Sequence, residues 1–147
     1  MLSQDDFYTA GKLVNLTSVD LLVIYDNKYI VGKRINNPAK GYYFVPGGVI
    51  QKNETISNAI KRISKNELNI ELDNWEFHKV TQHWYENNFR DDKYGTHYLS
   101  LSYKTNLTSE QAEQINICDQ HSDTKWLTLE ELLQDNEVHK YSKIFFE

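Results

Sequence analysis

A glutamate stands where a helix would otherwise present only apolar side chains. Glu67 lies four residues after Ile63 and seven after Ile60, so it continues their stripe. A carboxylate directed towards a protein interior is costly unless something compensates its charge. Gly47 and Gly48 precede this helix, and glycines allow the backbone to come close to a ligand or to expose a carbonyl oxygen.

Two interpretations of Glu67 follow from this position. In one, the carboxylate sits near the helix end and reaches water. In the other it binds a metal ion, and the glycine pair favours this interpretation. A carboxylate, a carbonyl and phosphate oxygens form the hard-oxygen ligand set that Mg²⁺ prefers.

The elements that must position these groups can be read from the same chain. Apolar spacing predicts a helix from about Thr55 to Leu68, between β-rich segments. A hairpin is predicted at Asp26-Asn27, because turn residues there separate two strand-like runs. Further helices are predicted to begin near Ser3, Thr108 and Thr128, where capping residues occur. The fold class is therefore α/β of the α+β type, a mixed β-sheet between helices in one domain over residues 1–147.

Composition excludes several classes of function. Lys and Arg number 16 and Asp and Glu 21, a net charge of -5, which argues against broad nucleic-acid binding. No segment has the roughly 18 apolar residues of a membrane span. The N-terminus lacks the features of a signal peptide, and the single cysteine, Cys118, predicts a cytoplasmic location. There are three arginines, of which Arg90, beside two aspartates, is predicted to be a loop charge without a role.

The spacing from Gly48 through Glu54 and Arg62 to Glu67 resembles the Nudix box. Two of the three metal-ligand carboxylates of that box are missing here, and Glu67 remains. The same loss is typical of the GDP-mannose mannosyl hydrolases, which the chain resembles over about residues 5–145. The matching segments are Gly32-Lys33-Arg34, residues 38–48, residues 51–55, Gln82-His83, Thr96-His97-Tyr98, Asp119-Gln120-His121 and Trp126-Leu127-Thr128.

This resemblance implies a set of roles for individual residues. One Mg²⁺ per subunit, which Mn²⁺ could replace, would be held by the Gly47 carbonyl, Glu67 and Gln120. His121 would be the general base, and Asp20 and Arg34 would act around the departing GDP and the sugar. The implied substrate-binding residues are Leu2, Phe7, Arg34, Arg62, His83, Tyr85 and Tyr98, with Leu2 and Phe7 contributed within a homodimer. The family commonly has an arginine where this chain has Val49, which leaves the identity of the sugar open.

The expected reaction is hydrolysis of a GDP-sugar, GDP-α-D-mannose first, to GDP and free sugar. Water would attack the anomeric carbon with inversion, so the enzyme would be a glycosyl hydrolase. Glucose or fucose could stand in place of mannose. Two alternatives remain: a conventional Nudix pyrophosphatase that cleaves P–O–P in a nucleotide derivative, and a non-catalytic domain that binds a nucleotide sugar.

Overall fold

The computed structural model describes residues 2–117 and 123–147. Its helices are α1 Gln4–Leu13, α2 Ile56–Leu68, α3 Ser109–Ile117, α4 Leu129–Gln134 and α5 Lys140–Lys143, followed by a 3₁₀ turn Ile144–Phe146. The strands are β1 Leu16–Tyr25, β2 Lys28–Lys33, β3 Tyr43–Phe44, β4 Gly47–Val49, β5 Glu76–Tyr85, β6 Thr96–Asn106 and β7 Thr124–Leu127. None of the described helices has the length and apolarity needed to cross a membrane.

Strand β1 is the centre of the sheet, whose main order is β3-β2-β1-β6-β5. It runs parallel to β6, from Leu16 opposite Tyr98 to Ile24 opposite Asn106, and antiparallel to β2 and β4. The β1–β2 turn is the predicted one, and both Asp26 and Asn27 have positive φ, as a tight hairpin requires. The sheet is therefore mixed, as predicted.

One face of the sheet is covered by α2. Thr55 caps this helix by accepting a hydrogen bond from the Asn58 N–H, and Ile60 and Ile63 are buried against Val19 and Leu21 of β1. The helix spans the segment that the apolar spacing predicts. Its C-terminal end places Glu67 beside the sheet.

A second apolar cluster fills the opposite face. It joins Leu22 of β1 and Val31 of β2 to Leu132 of α4 and to Phe145. The capping box of α4, Thr128 with Glu131, is formed as predicted, and Thr108 and Gln111 exchange the same pair of hydrogen bonds before α3. Helices on both faces confirm the predicted α+β architecture.

The N-terminal helix, α1, packs against the loop between β5 and β6. Arg90 pairs with Asp5 at 2.8 Å, and its guanidinium carbon lies 4.7 Å from the ring centroid of Tyr8. The Tyr8 hydroxyl donates to Asp91 at 2.8 Å. The prediction that Arg90 has no role was wrong, because sequence spacing gives no sign that residues 85 positions apart meet.

The C-terminal segment runs along the outer edge of β5. The Tyr141 hydroxyl accepts a hydrogen bond from the Trp84 N–H at 3.0 Å and donates one to the Trp84 carbonyl at 2.9 Å. Further along the strand, the His78 ring contacts the Phe145 carbonyl and Lys79 donates to the Glu147 carbonyl. Phe145 is 1% exposed, so this segment is packed into the core as well as hydrogen-bonded to the strand.

The glycine pair of β4 fits between the sheet and α2. A Cβ atom at Gly48 would lie 3.1 Å from Ile63 Cγ1 and 3.3 Å from its Cδ1. The helix can approach this closely only because the strand carries no side chain at that point.

We expect Gly48→Ala to lower the free energy of unfolding by about 1–3 kcal/mol, since an added methyl would overpack the contact with Ile63. Gly32→Ala is the matched control, because its Cβ would meet its nearest neighbour, Thr124 Cγ2, at 3.9 Å. Urea unfolding followed by circular dichroism measures both. Equal stability of the two variants would contradict the close packing at Gly48.

Candidate functional site

Three of the predicted site residues line one cavity of about 400 Å³: Arg34, Gly47 and Glu67. They come from the end of β2, from β4 and from the end of α2. Lys33 and Asp123 lie on the same wall, 3.9 Å apart between Nζ and Oδ2. The cavity thus combines two cations, Lys33 and Arg34, with two carboxylates, Glu67 and Asp123, a composition suited to a diphosphate and a divalent metal.

Asp20 lies directly behind the Gly47 wall of this cavity. Its carboxylate accepts hydrogen bonds from the hydroxyls of Ser18, at 3.3 Å, and Ser100. A Cβ at Gly47 would overlap Asp20 Oδ1, so glycine is required there for the carboxylate to occupy its place. Burial raises the pKa of Asp20 to about 6, against the opposing effects of the two serines and the Arg34 charge.

A second cavity, of about 590 Å³, shares a wall with the first. It is lined by Tyr85 at the end of β5 and by His139 and Tyr141 near the C-terminus. Phe44, which lines the first cavity, stacks on His139 with ring centroids 4.7 Å apart. The two cavities therefore meet along the Phe44–His139 pair.

Tyr85 lines the second cavity, and Tyr98 packs against Tyr85. Their rings meet edge to face with centroids 6.0 Å apart, and burial raises the pKa of both hydroxyls. The positive charge of Arg34 is close enough to lower the pKa of both tyrosines and of Asp20, against the effect of burial. The structure therefore brings together Asp20, Arg34, Tyr85 and Tyr98, which are far apart in the chain.

His83 is enclosed rather than open to a ligand. It is 5% exposed, and its ring stacks on Tyr141 with centroids 4.5 Å apart. Its Nε2 is 3.0 Å from the Thr81 hydroxyl, and burial together with nearby His139 lowers its pKa to about 4. The predicted contact of His83 with substrate would require Tyr141 to move.

The prediction that Arg62 binds substrate is corrected by its contacts. Its Nε and Nη2 donate to the Glu54 carboxylate at 2.8 and 2.9 Å, and Nη2 also donates to the Val49 carbonyl at 2.8 Å. Glu54 in turn accepts from the Gln51 N–H, and the Arg62 hydrogen bonds lower its pKa to about 2. Arg62 lines neither of the two cavities. This half-buried pair links the loop before α2 to the helix.

The remaining predicted residues lie away from both cavities or outside the described residues. Leu2 is 55% exposed, and Phe7 packs on Phe89 with ring centroids 5.5 Å apart. Gln120 and His121 fall in the segment 118–122, which is outside the described residues. Asp123, on the wall of the first cavity, directly follows that segment.

The described residues contain no group of three or more His, Cys, Asp or Glu side chains that could hold a metal. Glu67 and Gly47 line one cavity, and a carboxylate with a backbone oxygen fits an Mg²⁺ held by few protein ligands and completed by substrate oxygens.

Sequence reasoning missed the roles of Phe44, His139 and Tyr141. Phe44 belongs to a segment that the resemblance covers, but its aromatic contacts depend on tertiary structure. His139 and Tyr141 carry no motif, and the high share of aromatic residues, 13%, was the one general signal of a stacking surface.

Comparisons with known proteins agree with this geometry. The family model of the NUDIX domain matches residues 15–147. The low-salt glycan biosynthesis protein Agl8 of Haloferax volcanii is 32% identical over 124 residues, which cover 84% of this chain and 78% of that protein.

Two solved structures share the fold. A MutT NUDIX hydrolase from Burkholderia pseudomallei superposes with a TM-score of 0.68 at 21% identity, over 90% of this chain and 95% of its own. The NUDIX domain of Shewanella oneidensis NrtR, in a complex with ADP ribose, gives 0.64 at 18% identity, over 99% and 96%. The chain therefore belongs to the NUDIX domain family, and this membership supports hydrolysis of a nucleotide derivative as its class of reaction.

Proposed function

We propose that the protein hydrolyses a GDP-sugar, with GDP-α-D-mannose as the first substrate, to GDP and free sugar. Water attacks the anomeric carbon and inverts its configuration. The observation that carries this proposal is the different location of the two box glutamates, Glu67 and Glu54. Glu67 lines the cavity that holds Arg34, whereas Glu54 is bound to Arg62. A single box carboxylate at the cavity suits one metal that supports a leaving diphosphate, rather than a metal cluster that activates water at phosphorus.

The relative from Haloferax volcanii supports a sugar-containing substrate. It bears the name of a glycan biosynthesis protein and matches most of this chain. A shared wall between the two cavities also suits a substrate of two parts, a charged diphosphate beside Arg34 and a planar or ring-shaped group beside Tyr85.

Mg²⁺, or Mn²⁺ in its place, would be held by the Gly47 carbonyl, Glu67 and Gln120. When bound, it supplies positive charge that stabilises the departing diphosphate. The hard-oxygen character of these three groups is the chemical basis for the assignment.

The chain's own residues account for the remaining steps. Arg34 binds the diphosphate and stabilises the charge that develops on GDP. His121 takes the proton from the attacking water, a task to which a neutral imidazole is suited. Asp20, behind the Gly47 wall, acts together with Arg34 around the departing GDP and the sugar, and Tyr85 and Tyr98 face the nucleoside.

We further propose that the enzyme acts in the cytoplasm as a homodimer. Leu2 and Phe7 of one subunit would then complete the nucleoside site of the other. The single cysteine supports a reducing compartment, and the exposure of Leu2 supports contact with a second chain.

A conventional pyrophosphatase is the second candidate. It is favoured by membership of the NUDIX domain family, which supports hydrolysis of a nucleotide derivative without specifying which bond is cleaved. This reaction would cleave P–O–P and release a mononucleotide and a sugar phosphate.

Product analysis in ¹⁸O-labelled water tests the proposal. Incubation with GDP-α-D-mannose and Mg²⁺ should yield GDP and mannose, with the label in mannose and initial release of the β-anomer. Label on phosphorus, with GMP and mannose phosphate as products, would establish the pyrophosphatase. Absence of turnover across a panel of nucleotide sugars, despite their binding, would indicate a binding domain.

The two box glutamates should respond differently to substitution. Glu67→Gln should lose most Mg²⁺-dependent activity, because it removes the box carboxylate that lines the first cavity. Glu54→Gln should instead cost about 1.5–3 kcal/mol of stability, because it removes a charged partner of Arg62. Since the folded-state pKa of Glu54 is lowered to about 2, the pair stabilises the fold above pH 4.5 and is lost as the pH falls towards 2.

Turnover and urea unfolding between pH 2.5 and 7 measure both effects. The contribution of the Glu54–Arg62 pair to the free energy of unfolding should fall with acid in Glu67→Gln, which keeps the pair. It should be absent at every pH in Glu54→Gln. Near-normal turnover of Glu67→Gln at saturating Mg²⁺ would remove Glu67 from the metal site.

Substitution of the proposed base gives a further prediction. His121→Gln should lower kcat by about 10²–10⁴-fold, with KM and Mg²⁺ affinity close to wild type, because it removes proton transfer alone. Asp20→Asn is the companion variant, since its pKa of about 6 lies in the same pH range. The pH profile of kcat should lose an ionisation in His121→Gln. If the fall of kcat at low pH remained unchanged in His121→Gln and disappeared in Asp20→Asn, the proton transfer would be assigned to Asp20.

A further inference from the structure

We propose that Phe44 and His139 are positioning residues that hold the Arg34 guanidinium in its orientation at the diphosphate cavity. The role of Arg34 in turnover rests on the proposed function, but its orientation by the two rings can be tested without it. Neither ring belongs to the predicted site.

A continuous series of contacts between planar groups, some stacked and some tilted, begins at Arg34 and runs through Phe44 to the second cavity. We call these five groups, Arg34, Phe44, His139, Tyr141 and His83, the Arg34 ladder. The Arg34 guanidinium carbon lies 5.5 Å from the Phe44 ring centroid, and Phe44 stacks on His139 at 4.7 Å and 19°. His139 lies 5.3 Å from Tyr141, which stacks on His83 at 4.5 Å and 13°.

Arg34 is held at two points and retains donors for a ligand. Its Nε donates to the Pro38 carbonyl at 2.8 Å, and the Phe44 ring supports the guanidinium from one side. Within the part of the chain that the structure describes, its Nη1 and Nη2 atoms make no hydrogen bond. These are the two nitrogens that can bind a phosphate as a fork.

Strand register explains why Phe44 supports Arg34. Phe44 is paired with Gly32 across β2 and β3, and the Arg34 N–H continues the pairing to the Tyr42 carbonyl. Gly32 has no side chain to cover the ring, so the diagonal neighbour Arg34 can lie over it.

His139 is itself fixed by its backbone and its ring. Its N–H donates to the Tyr43 carbonyl at 3.0 Å, and its Nδ1 accepts from the Tyr141 N–H at 3.1 Å. The Tyr42 ring meets it edge to face at 5.0 Å. A ring anchored in this way can restrain Phe44, and through Phe44 it restrains a guanidinium that would otherwise sample several rotamers.

The first test is NMR of the arginine Nε–Hε groups, because the chain has only three arginines. Arg→Lys variants assign the three signals in the ligand-free protein. Phe44→Leu should move the Arg34 signal downfield and leave that of Arg90 in place, whereas Phe44→Tyr should preserve both. Phe89→Leu is the matched control, because Arg90 also lies 5.5 Å from the Phe89 centroid, and it should move the Arg90 signal alone. An Arg34 signal that is unaffected by Phe44→Leu would overturn the proposal.

The second test is a double-mutant cycle on the hydrolysis of GDP-α-D-mannose. Phe44→Leu should lower kcat/KM by about 3- to 30-fold, and Phe44→Tyr should stay within about twofold of wild type. His139→Leu should have the same direction of effect, with rescue by His139→Phe. In an Arg34→Lys background the effect of Phe44→Leu should shrink to less than about twofold, because the ring acts through Arg34.

The outcomes separate the two proposals. Equal losses from Phe44→Leu in both backgrounds would make Phe44 a structural residue and overturn its positioning role. If the wild-type protein released no sugar from any GDP-sugar, the proposed function would fail, and the arginine signals would still decide whether the ladder orients Arg34.

Discussion

The absence of side chains at Gly47 and Gly48 is the constraint on which the site depends. On one side of β4 the Asp20 carboxylate occupies the space of a Gly47 Cβ, and on the other side Ile63 of α2 lies 3.1 Å from the place of a Gly48 Cβ. A side chain at either position would push the helix away from the sheet or displace Asp20. The close approach of α2 to β4 therefore brings Glu67 and Gly47 to the wall of the same cavity.

The charged residues around β4 fall into two groups, an ion pair within the fold and residues that line the cavity. Arg62 and Glu54 neutralise each other beside β4 and secure the entry to α2. Arg34 and Glu67 face the cavity instead. Two similar pairs of residue types thus have different tasks, and the difference comes from position in the fold and not from residue chemistry.

Local features of the chain predicted its elements well. Capping residues and apolar spacing located α2 and α4, and Asp26-Asn27 located the hairpin, because each depends on neighbours within a few residues. The parallel pairing of β1 with β6 joins residues more than 80 positions apart, and no local pattern encodes it. The same division applies to the site. The glycine pair and Glu67 were recognisable from the sequence. The ring contacts around His139 and the ion pair of Arg62 were not, because they depend on which distant residues the fold brings together.

The C-terminal segment also determines how this sheet can meet other molecules. At Trp84 both backbone hydrogen-bonding groups of the outer strand are occupied by one tyrosine hydroxyl, and Phe145 fixes the covering segment in the core. An uncovered outer strand is a template onto which a foreign strand can add, the first step of many aggregation processes. Tyr141 belongs both to this cover and to the Arg34 ladder, so one side chain joins the protected edge of the sheet to the wall of the two cavities.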